Sequence, residues 1–201
     1  SQGGVTLVQG SDPSNAANPA LLATGTFKVP LLFDTTVQIG TNDNSAIAIT
    51  DHNTADGALA FAQLAPDLVI VGEEIMTTQG ELLGYFMTES IPARLTPEET
   101  IRRLRDQGAA ISVSHPYDRL RKGAWEEADL LRIIDQVDAI EVFNSRCVYH
   151  EDNEKAAALA KARGVRGTVG SDAHSKPEYG QATLRLPPFT SAAEFIAALE
   201  A

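Results

Sequence analysis

The strongest constraint on the fold is a pattern that recurs from Ala46 onward: a short apolar run, then polar or charged residues, then a helix-forming stretch. Ala46-Ile47-Ala48-Ile49-Thr50 ends in Asp51-His52-Asn53, and Leu68-Val69-Ile70-Val71 ends in Gly72-Glu73-Glu74. Strands predicted over 109–113, 139–143 and 165–169 end at Ser114-His115-Pro116, near Asn144, and at Gly170-Ser171-Asp172-Ala173-His174. Residues 75–78 and 82–87 read as paired strands about Gln79-Gly80. Helices are expected over 55–64, 126–136 and 152–163. A further helix starts at Thr96-Pro97-Glu98-Glu99 and stops at Gly108, and the last begins at Ser191. Thr96 supplies an N-cap, Pro97 a preset first turn and Glu99 the reciprocal cap contact. Strand–helix alternation of this kind implies an α/β fold, a parallel sheet or barrel wrapped by helices. Chemistry then gathers at the carboxyl ends of the strands.

A chain of 201 residues fits one domain and buries a core without needing a disulfide. Residues 1–45, rich in Gly, Ser, Asn, Thr and Ala, read as an atypical N-terminal segment, and 46–201 as the barrel domain. No apolar run is long enough to cross a bilayer, and no secretory signal is expected. The single cysteine, Cys147, excludes an internal disulfide and a cysteine-built zinc site, so a cytoplasmic setting is expected. A net charge of −11 disfavours nucleic acid and anionic membrane as partners, except for a nucleic-acid end processed at metals. The expected partner is a small phosphorylated molecule or a nucleotide.

Three of the four histidines, His52, His115 and His174, fall at strand ends beside Asp51, Glu73, Glu74, Glu141, Asn144 and Asp172. Imidazole nitrogens mixed with carboxylate oxygens suit Zn, Mn or Fe. So many groups exceed the needs of one tetrahedral ion, whereas two ions about 4 Å apart would clamp a phosphoester. Of Glu73 and Glu74, one is expected to face the barrel mouth and the other solvent. Asp172 and His174 read either as a chelating pair on one side of an extended segment or as an Asx turn. His150 reads as a solvated residue at a helix start. Arg119, Arg121 and Lys122 are either a solvated loop or a phosphate-capturing cluster, and Arg146 is the better candidate for an anion contact. Trp125 and Cys147 read as packing residues.

The motifs Thr50-Asp51-His52-Asn53-Thr54, Gly72-Glu73-Glu74-Ile75, Ser114-His115-Pro116, Ile140-Glu141-Val142-Phe143-Asn144 and Gly170-Ser171-Asp172-Ala173-His174 occur in this order. They resemble the PHP (polymerase and histidinol phosphatase) family from about Ala46 to the C-terminus. The resemblance implies a distorted (β/α)7 barrel with a site for two or more divalent metals at its mouth. It implies phosphoester hydrolysis by a metal-activated water. His52, Glu74, His115, Asp172 and His174 look like metal ligands, with His115 and Asp172 central to catalysis. Asp51 looks like a residue that supports His52, and Asn144 and Arg146 like substrate contacts. Glu81 stands where many members have a ligand histidine. The family's opening D-L-H-x-H strand has its nearest counterpart at 30–40, where the two histidines fall on Leu32 and Asp34 and the later aspartate on Ile39. The N-terminal βα unit therefore reads as altered or incomplete. The expected function is a metal-dependent phosphoesterase. The alternatives are a non-catalytic module binding a metal or phosphorylated ligand, and a metal-dependent hydrolase of other bonds.

Overall fold

The computed structural model describes Gly4, Val5 and residues 46–200. Its strands are β1 (Gly4–Val5), β2 (Ile47–Thr50), β3 (Val69–Met76), β4 (Glu81–Tyr85), β5 (Ala110–Val113), β6 (Ala139–Asn144) and β7 (Arg166–Gly170). Its helices are α1 (Asp56–Leu64), α2 (Pro97–Asp106), α3 (Glu127–Ile133), α4 (His150–Arg163) and α5 (Ala192–Ala198). The strands form one sheet in the order β1 to β7.

The sheet is mixed rather than wholly parallel. β2 and β3 run parallel, as do β5, β6 and β7, but β4 is antiparallel to both its neighbours. The turn 77–80 joining β3 to β4 is too short for a crossover, so the two strands must form a hairpin. The two apolar runs expected at 68–71 and 75–78 are joined in a single strand, β3. Gly72, Glu73 and Glu74 continue the ladder against β4, with Glu74 opposite Leu83. The helices stand close to their expected places. Thr96 caps α2 by accepting from the Glu99 N–H at 3.2 Å. The expected helix 126–136 is α-helical to Ile133 and then tightens into a 3-10 turn, Ile134–Gln136. Among the described residues, no helix is long and apolar enough to cross a membrane.

Alternation along the strands splits the core into two layers. On one face Ile75, Leu82, Ile111, Val113 and Ile140 pack with Ile101 and Leu104 of α2 and Leu130 and Ile133 of α3. On the other, Leu83, Tyr85 and Ala110 pack with Phe195 of α5, and Phe189 closes on Phe195 with ring centroids 5.2 Å apart. Residues from β2, β3, β4, β6 and β7 line one cavity of about 460 Å³ on this second face, so the sheet curls around it. The result is an open half-barrel. The described strands do not close the (β/α)7 barrel: the order ends at β7, and no ladder links β7 back to β1 or β2.

Strand period also corrects the expectation that Glu73 or Glu74 faces solvent. Glu74 lines the concave cavity, and its neighbour must point the opposite way. There Glu73 meets not water but protein, and it is 0% exposed. Its Oε2 accepts the Ile91 N–H at 2.9 Å, while Oε1 is buried without a hydrogen-bond partner. Burial, with the Asp56 charge adding, pushes its pKa up to about 7. A carboxyl whose pKa rises on folding stabilises the folded state most below its unfolded value, and that contribution is lost as pH climbs through about 7. Glu73→Gln is therefore expected to be close to neutral at pH 5. At pH 8 it should stabilise by about 1–3 kcal/mol, checked by denaturant unfolding at the two pH values. A variant less stable than the parent at pH 8 overturns this account.

Candidate metal centre

The same parity that buries Leu83 and Tyr85 on the concave face delivers the polar groups to its rim. Ala48 and Thr50 of β2 line the cavity, and two residues on stands His52, bridged to Glu74. Ile70 leads by the same step to Glu74, and Thr168 and Gly170 lead to Asp172. β4 runs the other way, so its first residue, Glu81, reaches the rim where its neighbours present their last. In β6 a register shift between Glu141 and Phe143 changes the parity, which lets both Glu141 and Asn144 line the cavity.

Four of the residues singled out in the sequence meet at one point. His52 Nδ1 lies 3.2 Å from Glu74 Oε2 and 3.7 Å from Glu81 Oε1. His115 Nε2 lies 3.1 Å from Glu74 Oε1 and 3.4 Å from Glu81 Oε2. His52, Glu74 and Glu81 each offer a ligand atom within 4.8 Å of the others. Glu74, Glu81 and His115 are buried. Two carboxylates and two imidazoles converging on one point are a set of groups that could hold a divalent ion. The electrostatics agree. Burial pushes the Glu81 pKa up, and the facing Glu74 charge pushes it further. Burial likewise opposes the charge on Glu74, but the His115 hydrogen bond, the His115 and His52 charges and the Ser114 hydroxyl outweigh it and hold the pKa low. Burial works against protonation of His115, and Glu74, Glu141 and Glu81 overcome it, so the ring is held protonated. The cluster thus calls for positive charge, which a cation would supply in place of the proton. The other ring nitrogen, His115 Nδ1, is buried without a partner.

Asp172 and His174 stand on the far side, with the His174 ring 6.0 Å from that of His52. The segment is not extended: Asp172 has φ 46°, in the left-handed region, where an aspartate is tolerated more readily than most side chains. Even so, Asp172 Oδ1 lies 3.4 Å from His174 Nδ1. Both groups are engaged by arginines. Arg121 Nη2 donates to Asp172 Oδ2 at 2.6 Å, and Arg146 Nη1 lies 2.6 Å from His174 Nδ1 and 3.8 Å from Asp172 Oδ2. Asn144 donates to Glu141 Oε2 at 3.1 Å and to Asp172 Oδ2 at 3.4 Å. Asp51 is buried beside His52, and its carbonyl accepts the Glu74 N–H. His150 is exposed at the first residue of α4. Leu32, Asp34 and Ile39 lie outside the described residues.

Two contributors were not assigned a role from sequence. Glu141, buried, accepts the His115 N–H at 2.8 Å and so fixes where that residue leaves its strand. Burial pushes its pKa up to about 7. A charged residue in the middle of an apolar strand was the available signal. Ser114 donates its hydroxyl to Glu74 Oε1 at 2.6 Å, a contact no sequence spacing announces.

Residues 150–201 match the family model described as PHP-associated. Two uncharacterized proteins of Methanocaldococcus jannaschii are similar to this chain. One is 42% identical over 110 residues, covering 53% of this chain and 60% of that protein. The other is 40% identical over 145 residues, covering 71% and 58%. The chain thus spans less than two thirds of the length of these relatives. Among solved structures, PsfC of Pseudomonas syringae shares 18% identity with a TM-score of 0.55, covering 78% of this chain and 75% of that one. A Bifidobacterium adolescentis protein provisionally named a metal-dependent phosphoesterase shares 15% identity with a TM-score of 0.53, covering 76% and 84%. At these identities the likeness is one of fold.

The position of Glu81 depends on a missing methyl group. A Cβ at Gly123 would overlap the Glu81 carboxylate, and the Glu81 N–H is itself bonded to the Gly123 carbonyl. Gly123→Ala should therefore cost about 1–3 kcal/mol of stability in denaturant unfolding. Unchanged stability would mean that the carboxylate finds another place at no cost.

Proposed function

On the PHP assignment that the match over 150–201 and the shared fold support, we propose that this chain carries the site of a metal-dependent phosphoesterase. The substrate is a small phosphorylated molecule or a nucleotide. The observation that carries the reading is the convergence of His52, Glu74, Glu81 and His115 on one buried point, with Asp172 and His174 opposite. His52, Glu74, Glu81 and His115 hold one divalent ion, Zn, Mn or Fe, and Asp172 and His174 take part in holding a second. A closed (β/α)7 barrel and a cytoplasmic setting belong to the same reading. Bound there, such ions supply a Lewis acid for the phosphoryl oxygens and lower the pKa of water so that it attacks near neutral pH.

The chain's own groups do the rest. Glu74 joins the two imidazoles, one oxygen toward each, and Ser114 fixes its orientation. His115 must give up its ring proton to act as a ligand, so ion binding strengthens as pH rises. Glu141 holds the His115 backbone, and Asn144, bonded to both Glu141 and Asp172, joins the two halves of the rim. Arg146 supplies an anion contact beside Asp172 and His174, matching the charge of a phosphoryl group. In the overall reaction, water oxygen bonds to phosphorus, the ester P–O bond breaks, and the leaving oxygen takes up a proton.

Elemental mass spectrometry of the purified protein should find Zn, Mn or Fe, and stripping the ion with a chelator should lower the melting temperature. Saturation at a hundred times Kd is worth about 2.7 kcal/mol. His115→Ala should lose the ion and reduce phosphate release from generic phosphomonoesters by at least about a hundredfold. Full activity in His115→Ala would remove the assigned site. Ion binding without phosphate release from any ester tested would instead favour the non-catalytic binding module.

A further inference from the structure

The two halves of the rim differ in how their charge is balanced. On the His52 side, imidazoles and carboxylates face one another. On the Asp172 side, a guanidinium already sits on the carboxylate. Arg121 spans two buried acids: its Nη2 donates to Asp172 Oδ2 at 2.6 Å, and its Nε to Asp118 Oδ2 at 3.4 Å. Asp118 is 2% exposed and also accepts the Leu120 N–H at 3.1 Å, so it is a fixed anchor within the 116–122 loop. The loop is pinned from its other end as well, because Arg119 forms a multiply bonded pair with Asp152 of α4. Arg121 is therefore held at the site by its backbone and by Asp118, with the end of its fork aimed at the carboxylate a second ion would need.

We propose that Arg121 is a dual-purpose residue: it competes with the second metal ion for Asp172, and once displaced its guanidinium clamps the substrate's phosphoryl oxygens. This deepens the phosphoesterase reading and rests on it. The physical basis is an exchange of partners. Asp172 Oδ2 already accepts from Arg121 Nη2 and, at 3.4 Å, from Asn144, so a divalent ion that takes this oxygen does so at the expense of the Arg121 contact. Displaced from Asp172, the Arg121 guanidinium keeps Asp118 on its Nε, and the freed outer end of its fork is open to a phosphoryl group, which presents two acceptor oxygens at a matching spacing. Binding of the ion and of the anion is then positively coupled. By linkage, each strengthens the other by the same factor. The site loads fully only when substrate arrives, so Asp172 stays neutralised between turnovers.

The test is calorimetric titration of Mn2+ into the chelator-stripped full chain, with and without inorganic phosphate, for the parent and for Arg121→Gln. In the parent, phosphate should tighten Mn2+ binding by about tenfold, within the ordinary range of such couplings. In Arg121→Gln, Mn2+ alone should bind more tightly than in the parent, and the enhancement by phosphate should fall below about twofold. Thermal melting of the stripped proteins confirms that the variant is folded. If it is not, Arg121→Lys serves in its place: it keeps the competing charge but not the fork, so Mn2+ binding alone should stay near the parent's while the enhancement falls. A variant that keeps the full phosphate enhancement overturns the proposal, as does an Arg121→Gln that binds Mn2+ more weakly than the parent. Failure of the parent to bind Mn2+, or Zn2+ in its place, removes the phosphoesterase reading itself. Normal ion binding with no response to Arg121 removes only this inference.

Discussion

Glu74 is the group on which the site's electrostatics turn. It is almost wholly buried, which by itself would drive it neutral, yet it faces His52 with one oxygen and His115 with the other. Its charge then works against two of the other acids: Glu81 and Asp172 have both their pKa values raised first by burial and next by Glu74. A buried cluster of this sign is costly unless positive charge is fixed beside it. The structure fixes it in three ways, with protonatable imidazoles, with Arg121 and Arg146, and with backbone N–H groups such as that of His115 on Glu141. The wrap of the sheet serves this end, since six carboxylate and imidazole groups from five segments meet only if the strands curl toward one centre.

The curl needs support from inside. The concave face is not left to water: Phe189 and Phe195 enter from the C-terminal segment and pack with Leu83, Tyr85 and Ala110. Polar groups thus occupy the rim while aromatic rings occupy the floor. Ser112 and Thr168, hydrogen-bonded to each other at 2.8 Å, lie buried on the strands between them. Burial is the first cause of the raised pKa values of Glu81, Glu141 and Asp172, ahead of the neighbouring acids. The segment matched to the PHP-associated family, 150–201, includes α4, β7 and the aromatic floor, so it contributes both Asp172 and the residues that keep water away beneath it.

Much of this was legible in the sequence. Apolar runs followed by His, Asp or Glu mark the strands and the rim together, because period two carries an inward-facing residue such as Thr50 straight on to His52. The capping signals at Thr96 and Ser191 located α2 and α5 for the same local reason, and both caps are made in the structure. What was not legible depends on partners far along the chain. Glu73 looked like a solvent-facing acid because nothing local shows that the Ile91 region covers it. Asp172 and His174 could be read as a chelating pair on an extended segment or as an Asx turn; the segment turns at Asp172, which has φ 46° and is held by Arg121 and Asn144 from distant parts of the chain. Arg121 itself stood in a basic loop that could equally have been solvated, and only the fold brings Asp172, fifty-one positions away, to its guanidinium. The strand pair expected about Gln79-Gly80 is present as the β3–β4 hairpin, and it sets β4 in reverse within the sheet.

That reversed strand ties the site to the length of one turn. Glu74 and Glu81 lie on the two arms of a single hairpin, and both face inward because Glu74 stands opposite Leu83 and Met76 opposite Glu81. Slipping this pairing by one residue would turn every side chain of β4 to the other face, taking Glu81 out of the site and putting Leu82 in its place. The turn between them can therefore lengthen or shorten over evolutionary time only in ways that preserve parity, although its own residues touch none of the chemistry. Turn length at this point is, in effect, an inherited part of the buried His–Glu cluster.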